Sequence, residues 1–117
     1  MDYSKLSGAG IASKVLIAQG YKLIDDGYGY SIYISESGRK DIGPKASKQF
    51  LFDPCNNAAD AWPIIAENMI ALNPVKLFVG GHRWFASKGD SDLSEKASDE
   101  NPLRAAMIVY LMMQESE

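Results

Sequence analysis

The chain has 117 residues, a formal net charge of −3, 46% hydrophobic residues and 23% charged residues. This length predicts one domain over residues 1–117, and the composition is typical of a globular protein. A negative net charge argues against a protein that binds nucleic acid through a broad basic surface. The single cysteine, Cys55, excludes an internal disulfide. The polar start and the lack of a long apolar stretch argue against a signal peptide and a membrane span, so we expect a cytoplasmic protein.

The first third of the chain predicts a helix followed by a hairpin. Residues 7–19 form an apolar stripe of helical period, with Ser7 as a cap and Gly20 as a stop. Residues 21–25 and 28–35 are predicted strands joined at Asp26-Gly27. Tyr30 and Tyr33 lie on the second strand, where they could stack on a ligand or simply suit a half-buried sheet.

Residues 36–47 are predicted to be a loop, because Ser-Gly and Gly-Pro pairs mark turns. A local basic run begins in this loop and ends at the first residue of the next predicted strand, residues 48–52. It suggests an anion or phosphate contact, with a solvated loop as the alternative. Its residues are Arg39, Lys40, Lys45 and Lys48.

A second helix is predicted from Asn57, whose side chain can cap it, with Asp60 in the position of a capping-box acid. Pro63 lies beyond the first turn and would kink or restart this helix. The helix is predicted to continue to Asn73, because Pro74 disfavours helical geometry at the residue before it.

Residues 76–79 and 82–87 predict a second hairpin around Gly80-Gly81. On the return strand, Arg83 could pair with a phosphate and Trp84 could stack on a base, with His82 beside them. The alternative to ligand binding is an ordinary strand with one buried face and one solvent-exposed face. The polar, acidic residues 88–100 are predicted to be a flexible loop.

The C-terminal stretch predicts the central helix of the fold. Asn101 is a good N-cap, Pro102 suits the first helical position, and Arg104 is the only charged residue from 103 to 113. A helix that is apolar on nearly every side must be covered by its own domain or by a second copy of the chain. A cation near a helix N-terminus is unfavourable, so Arg104 predicts a carboxylate partner, for which we considered Asp53, Asp60 and Glu100.

Together these elements predict an α+β fold, in which three helices pack with an antiparallel sheet of about four to five strands in a layered α/β sandwich. No catalytic residue, metal ligand or cofactor is predicted. Cys55 and His82 could form a thiol and base pair, but no third orienting group accompanies them. One cysteine and one histidine also fall short of a four-ligand metal site.

Three segments carry a resemblance to a known family: the start, residues 1–7; the run from Phe52 to Ile65, which contains Asp-Ala-Trp-Pro-Ile-Ile; and the run from Asn101 to Glu115, which contains Asn-Pro-Leu-Arg-Ala-Ala-Met. They resemble the NinX-like family of small proteins from tailed phages and prophages. The resemblance implies an accessory protein without a settled function, located in the cytoplasm of an infected or lysogenic bacterial host. It also implies a fold similar to phage α-β-α sandwich domains, and it transfers no catalytic residue.

These observations favour a non-enzymatic module that binds a host or phage protein, with self-association through the C-terminal helix. The alternative is a protein that binds a small, nucleotide-like molecule, such as a sponge for a host defence signal. The ligand would contact residues chosen for their charge or aromatic character, namely Arg83, Trp84, His82, Tyr30, Tyr33, Arg39, Lys40 and Lys45. A thiol or acid-base enzyme is the third hypothesis, and it has the weakest support.

Overall fold

The structure, a computed structural model, describes residues 2–89 and 95–115. In these residues the predicted α+β class and the three long helices are confirmed. A short 3-10 helix, Tyr3–Lys5, comes first. The remaining elements are α1 (Gly8–Ala18), β1 (Lys22–Asp26), β2 (Ser31–Ser35), β3 (Gly38–Ile42), α2 (Ala58–Glu67), β4 (Ile70–Lys76), β5 (His82–Lys88), β6 (Lys96–Asp99) and α3 (Pro102–Glu115).

The centre of the fold is α3, as its sequence predicts. It contacts α1 and α2 as well as β4, β5 and β6, so it is covered by elements of its own chain. This position suits a helix without a polar face. The apolar surface on which the expectation of self-association rested is therefore largely buried inside the fold. The buried residues of α3 are Ala105, Ala106, Met107, Ile108, Val109, Tyr110, Leu111 and Met113.

The strands form two antiparallel sheets of three, with the orders β1-β2-β3 and β4-β5-β6. The described strands thus number slightly more than the four to five predicted, and they are divided between two sheets. The N-terminal sheet contacts α1, where the Tyr33 hydroxyl lies 2.6 Å from the Ser13 hydroxyl. The C-terminal sheet packs against α3. No helix in residues 2–89 or 95–115 is long and apolar enough to cross a membrane.

The predicted loop over residues 36–47 is wrong in part, because β3 occupies its centre. The polar composition of this strand does not suggest β structure. Its charged side chains at Arg39 and Asp41 bind each other, so the strand needs few apolar residues. The strand predicted over residues 48–52 is also wrong. Only Leu51 forms an isolated parallel bridge, to Asp41, and turns precede it.

The second helix ends at Glu67, six residues before the predicted boundary at Asn73. Met69 adopts a left-handed backbone conformation with φ 55°, which a helix cannot continue through. The chain then enters β4, which includes Asn73 and Pro74. Proline is tolerated there because β4 pairs only with β5 and is an edge strand of the sheet.

The predicted flexible loop over residues 88–100 is wrong at both ends. Lys88 is the last residue of β5, and residues 96–99 form β6, which pairs with β5. Ala97 lies opposite the buried Ala86, so tertiary pairing organises a segment whose polar composition favours a loop. Residues 90–94 lie outside the described part of the chain.

Candidate functional site

The basic run of the N-terminal half does not form one anion site. Arg39 already binds an anion from its own strand, because its Nε and Nη2 atoms donate to the two carboxylate oxygens of Asp41, both at 2.8 Å. These hydrogen bonds raise the pKa of the Arg39 guanidinium. The guanidinium also lies 4.4 Å from the centre of the Phe50 ring. Asp41 is only 1% exposed, so this pair holds β3 against the following segment.

The predicted lysines lie apart from that pair. The Lys40 ammonium is 6.0 Å from the centre of the Phe52 ring and is half-buried. Lys45 is exposed, and its backbone N–H donates to the carbonyl of Gly29 at 3.0 Å. Its aliphatic carbons leave no room for a side chain at Gly29, where a Cβ would lie 2.9 Å away from them. Both lysines therefore use their stems for packing.

The two predicted tyrosines do come together, in a cleft of about 370 Å³ beside the start of α1. Tyr33 is buried and bonded to Ser13, while Tyr30 is half-buried. A neighbouring cleft of about 410 Å³ shares Ala9 and the Ile42–Pro44 segment with the first. The described side chains that line the two clefts include the acids Asp26 and Asp53 and no lysine or arginine.

The predicted caps are found, with one change of partner. The Asn57 side chain accepts from the Ala59 N–H at 3.0 Å and begins α2. The Asp60 carboxylate accepts from the Asp53 N–H at 2.9 Å, where a capping box would have it bind the Asn57 N–H. Asp60 thus ties the preceding turn to α2 rather than closing the helix terminus itself.

Arg104 joins three parts of the chain. Its carboxylate partner is Asp99, with 3.2 Å between Nε and Oδ2, and not one of the three acids considered from the sequence. Its Nη2 also donates to the backbone carbonyls of Ser4 and Leu6, at 2.9 and 2.7 Å. The guanidinium therefore anchors the N-terminal segment to the start of α3, which is a structural role.

Cys55 is 3% exposed, and His82 is exposed at the start of β5. Burial raises the pKa of the Cys55 thiol from 9.0 to about 11. The Arg104 charge acts in the opposite direction and is the weaker effect. The thiol is therefore protonated at neutral pH.

No group of three or more His, Cys, Asp or Glu side chains among residues 2–89 and 95–115 is placed to hold a metal ion.

The strand pairing assigns the residues of β5 to two faces. His82, Trp84 and Ala86 share the inner face, where Ala86 is buried and the strand contacts α3. Trp84 is half-buried on that face, which limits its use as a stacking platform. Arg83 points the other way and donates to the hydroxyl and the carbonyl of Ser98, at 3.0 and 3.2 Å.

The opposite, outer face of the C-terminal sheet and the turn that ends its hairpin are open to solvent. Phe78 is fully exposed and Val79 is 91% exposed in this turn. Val75 and Phe85 are also exposed, and the strand register places them on the outer face with Arg83. We call these five residues the hairpin surface.

Sequence reasoning missed Phe78 and Val79, since it placed both in a strand. The strand ends at Lys76, and the Leu77 N–H instead bonds the Gly81 carbonyl at 2.9 Å, which leaves a wider turn between them. Two apolar residues directly before Gly80-Gly81 were the available signal.

The fold and its surfaces define a class: a small α+β protein whose core is built on a buried helix and whose C-terminal hairpin carries exposed apolar residues. A sequence profile described as "Bacteriophage P22, NinX" matches residues 2–114, and the chain belongs to this phage family. The match also covers the residues between the three segments that carry the resemblance. No curated protein matches the chain.

Proposed function

We propose that this phage accessory protein acts by binding a host or phage protein through the hairpin surface. The observation that carries the proposal is the full exposure of Phe78 beside Val79. Large apolar side chains that adjoin one another on a surface mark interaction sites more often than isolated ones do. Other exposed apolar residues belong to other elements: Tyr28 lies between β1 and β2, and Trp62 lies on α2.

The charges around the hairpin surface indicate the chemistry of the partner. Lys76 precedes the turn, and Arg83 and Lys96 lie on the outer face by strand register. The described residues of this face include no aspartate or glutamate, although the whole chain has a net charge of −3. We therefore propose a partner protein with an apolar recess bordered by carboxylates, since complementary charge favours encounter and register.

A nucleotide-like ligand has less support. The predicted ligand residues divide between two sheets, and Arg39 and Arg83 are both engaged within the chain. The cleft beside α1 that contains the tyrosines would present the Asp26 carboxylate to a phosphate, which is unfavourable. A thiol enzyme has the least support, because the protonated, buried Cys55 is a poor nucleophile.

The test is capture of partners from infected host cells by the tagged protein, followed by binding measurements with each purified candidate. In the variant Phe78→Ser/Val79→Ser we expect at least a tenfold loss of affinity, which corresponds to ~1.4 kcal/mol. We also expect the affinity of the natural chain to fall as salt is raised, because salt screens exposed charges.

The matched control is Tyr28→Ser, which removes an equally exposed aromatic ring from the turn region of the other sheet. It should retain full affinity for the partner. The proposal is wrong if every captured protein binds the hairpin variant and the control equally well.

A further inference from the structure

The ends of three helices meet at one pocket of about 430 Å³. Gln19 is the C-terminal cap of α1, Glu67 and Asn68 end α2, and Gln114 lies in the last turn of α3. The buried Tyr21 and Tyr110 also line it. All three helices therefore place residues at or near their C-terminal ends around the same space.

This arrangement concentrates negative potential. Each helix C-terminus carries about −0.5 elementary charge from its aligned peptide dipoles. Helices commonly offset that charge with a basic residue in the last turn, yet α1, α2 and α3 each lack one. The Glu67 carboxylate adds a full negative charge, and no lysine or arginine is among the described residues that line the pocket.

Two acceptors that line the pocket, the Glu67 carboxylate and the Asn68 amide oxygen, are available for a ligand. Within the described part of the chain, Glu67 forms no hydrogen bond or ion pair, and the Asn68 amide donates to the Ile64 carbonyl at 2.8 Å, which leaves its oxygen toward solvent partners. One basic side chain, that of Lys40, lines an adjoining pocket with Gln19 and Glu67. It lies over Phe52 and makes no ion pair with Glu67.

We propose that this pocket binds a small organic cation that carries a guanidinium or primary ammonium group. The Glu67 carboxylate and the side-chain amide oxygens would accept its N–H groups, and aromatic rings such as those of Tyr21 and Tyr110 attract cations. The volume suits a small ligand. A bare metal ion fits less well, because Glu67 is the only carboxylate among the lining residues.

The experiment is a ¹H–¹⁵N NMR titration of the full chain with agmatine and putrescine, against sodium chloride at matched ionic strength. We expect saturable shifts at the amides of Gln19, Asn68 and Gln114. The variant Glu67→Gln should weaken binding by about two- to fivefold, which lies within the range that exposed ion pairs contribute. Shifts no larger than those in sodium chloride would overturn the proposal.

The control is Glu100→Gln, which removes the same charge just before α3, at the opposite end of that helix from the pocket. It should bind agmatine as the natural chain does, and equal weakening in both variants would show only a change in overall charge. A third arm uses Nα-acetyl-arginine amide as a stand-in for a partner's side chain. Binding of that compound without agmatine or putrescine would assign the pocket to a protein partner and overturn the small-molecule proposal.

Discussion

Asn101 and Cys55 are joined across 46 residues of sequence, because the Asn101 side-chain amide donates a hydrogen bond to the Cys55 carbonyl. The oxygen of the same side chain accepts from the N–H groups of Leu103 and Arg104, at 2.9 and 3.2 Å. One residue thus caps the central helix and fastens the turn that leads into α2. This is more than the capping role that the sequence predicts for Asn101.

We expect Asn101→Ala to lower the free energy of unfolding by ~2 kcal/mol. About half of this is the lost cap, and the other half is the hydrogen bond to Cys55. Asn101→Ser is the control, because it keeps a capping oxygen but lacks the amide, so it should lose ~1 kcal/mol. Urea denaturation measures both. If alanine and serine cost the same, the link to Cys55 contributes nothing to stability.

The Arg39 and Asp41 pair predicts non-additive mutations. Arg39→Met should lower the free energy of unfolding, because it leaves the carboxylate of Asp41 buried without its partner. The double variant Arg39→Met/Asp41→Asn should be more stable than this single variant, since the buried charge is then gone. A double-mutant cycle followed by urea denaturation measures the coupling.

The outcome that contradicts this account is simple additivity, in which the double variant loses the sum of the two single losses. Arg83→Met is a useful comparison, because Arg83 is also half-buried but bonds only the neutral Ser98. Its loss should cost less than that of Arg39.

Cys55 predicts a loss of stability at alkaline pH. Its pKa is raised by burial from 9.0 to about 11, so the folded protein holds this proton more tightly than the unfolded chain does. The resulting stabilisation is complete below about pH 9 and is lost as the pH rises through 11. The unfolding free energy of the natural chain, minus that of Cys55→Ala, should therefore decrease over this interval.

Chemical denaturation at several pH values measures that difference, with the alanine variant removing the contribution of the tyrosines from the comparison. Alkylation of the native thiol by iodoacetamide at pH 8 should also be much slower than in urea. A pH-independent difference between the two proteins would show that the thiol titrates normally.

Much of the fold could be predicted from periodicity and caps. The helices begin at Gly8, Ala58 and Pro102, each directly after its predicted cap, because capping depends on neighbouring residues in the sequence. The central position of α3 also followed from its apolar composition. These features are local, so a single sequence contains the information that determines them.

The errors arose where distant residues decide the structure. β3 and β6 are polar strands that exist because a neighbouring strand pairs with them. The end of α2 depends on the unusual backbone of Met69, which no sequence pattern indicated. The candidate site was missed for a similar reason: the exposure of Phe78 depends on the width of a turn, and two apolar residues beside a strand predict more strand.

The position of α3 in the chain has a consequence for biosynthesis. Every described element that packs on this helix precedes it, so those elements leave the ribosome with their apolar faces uncovered. Two small sheets and two helices cannot close a core among themselves without it. The nascent chain can therefore become compact only after residues 102–115 have been synthesised. A truncated mRNA that lacks the codons for these residues would yield a product prone to aggregation and proteolysis.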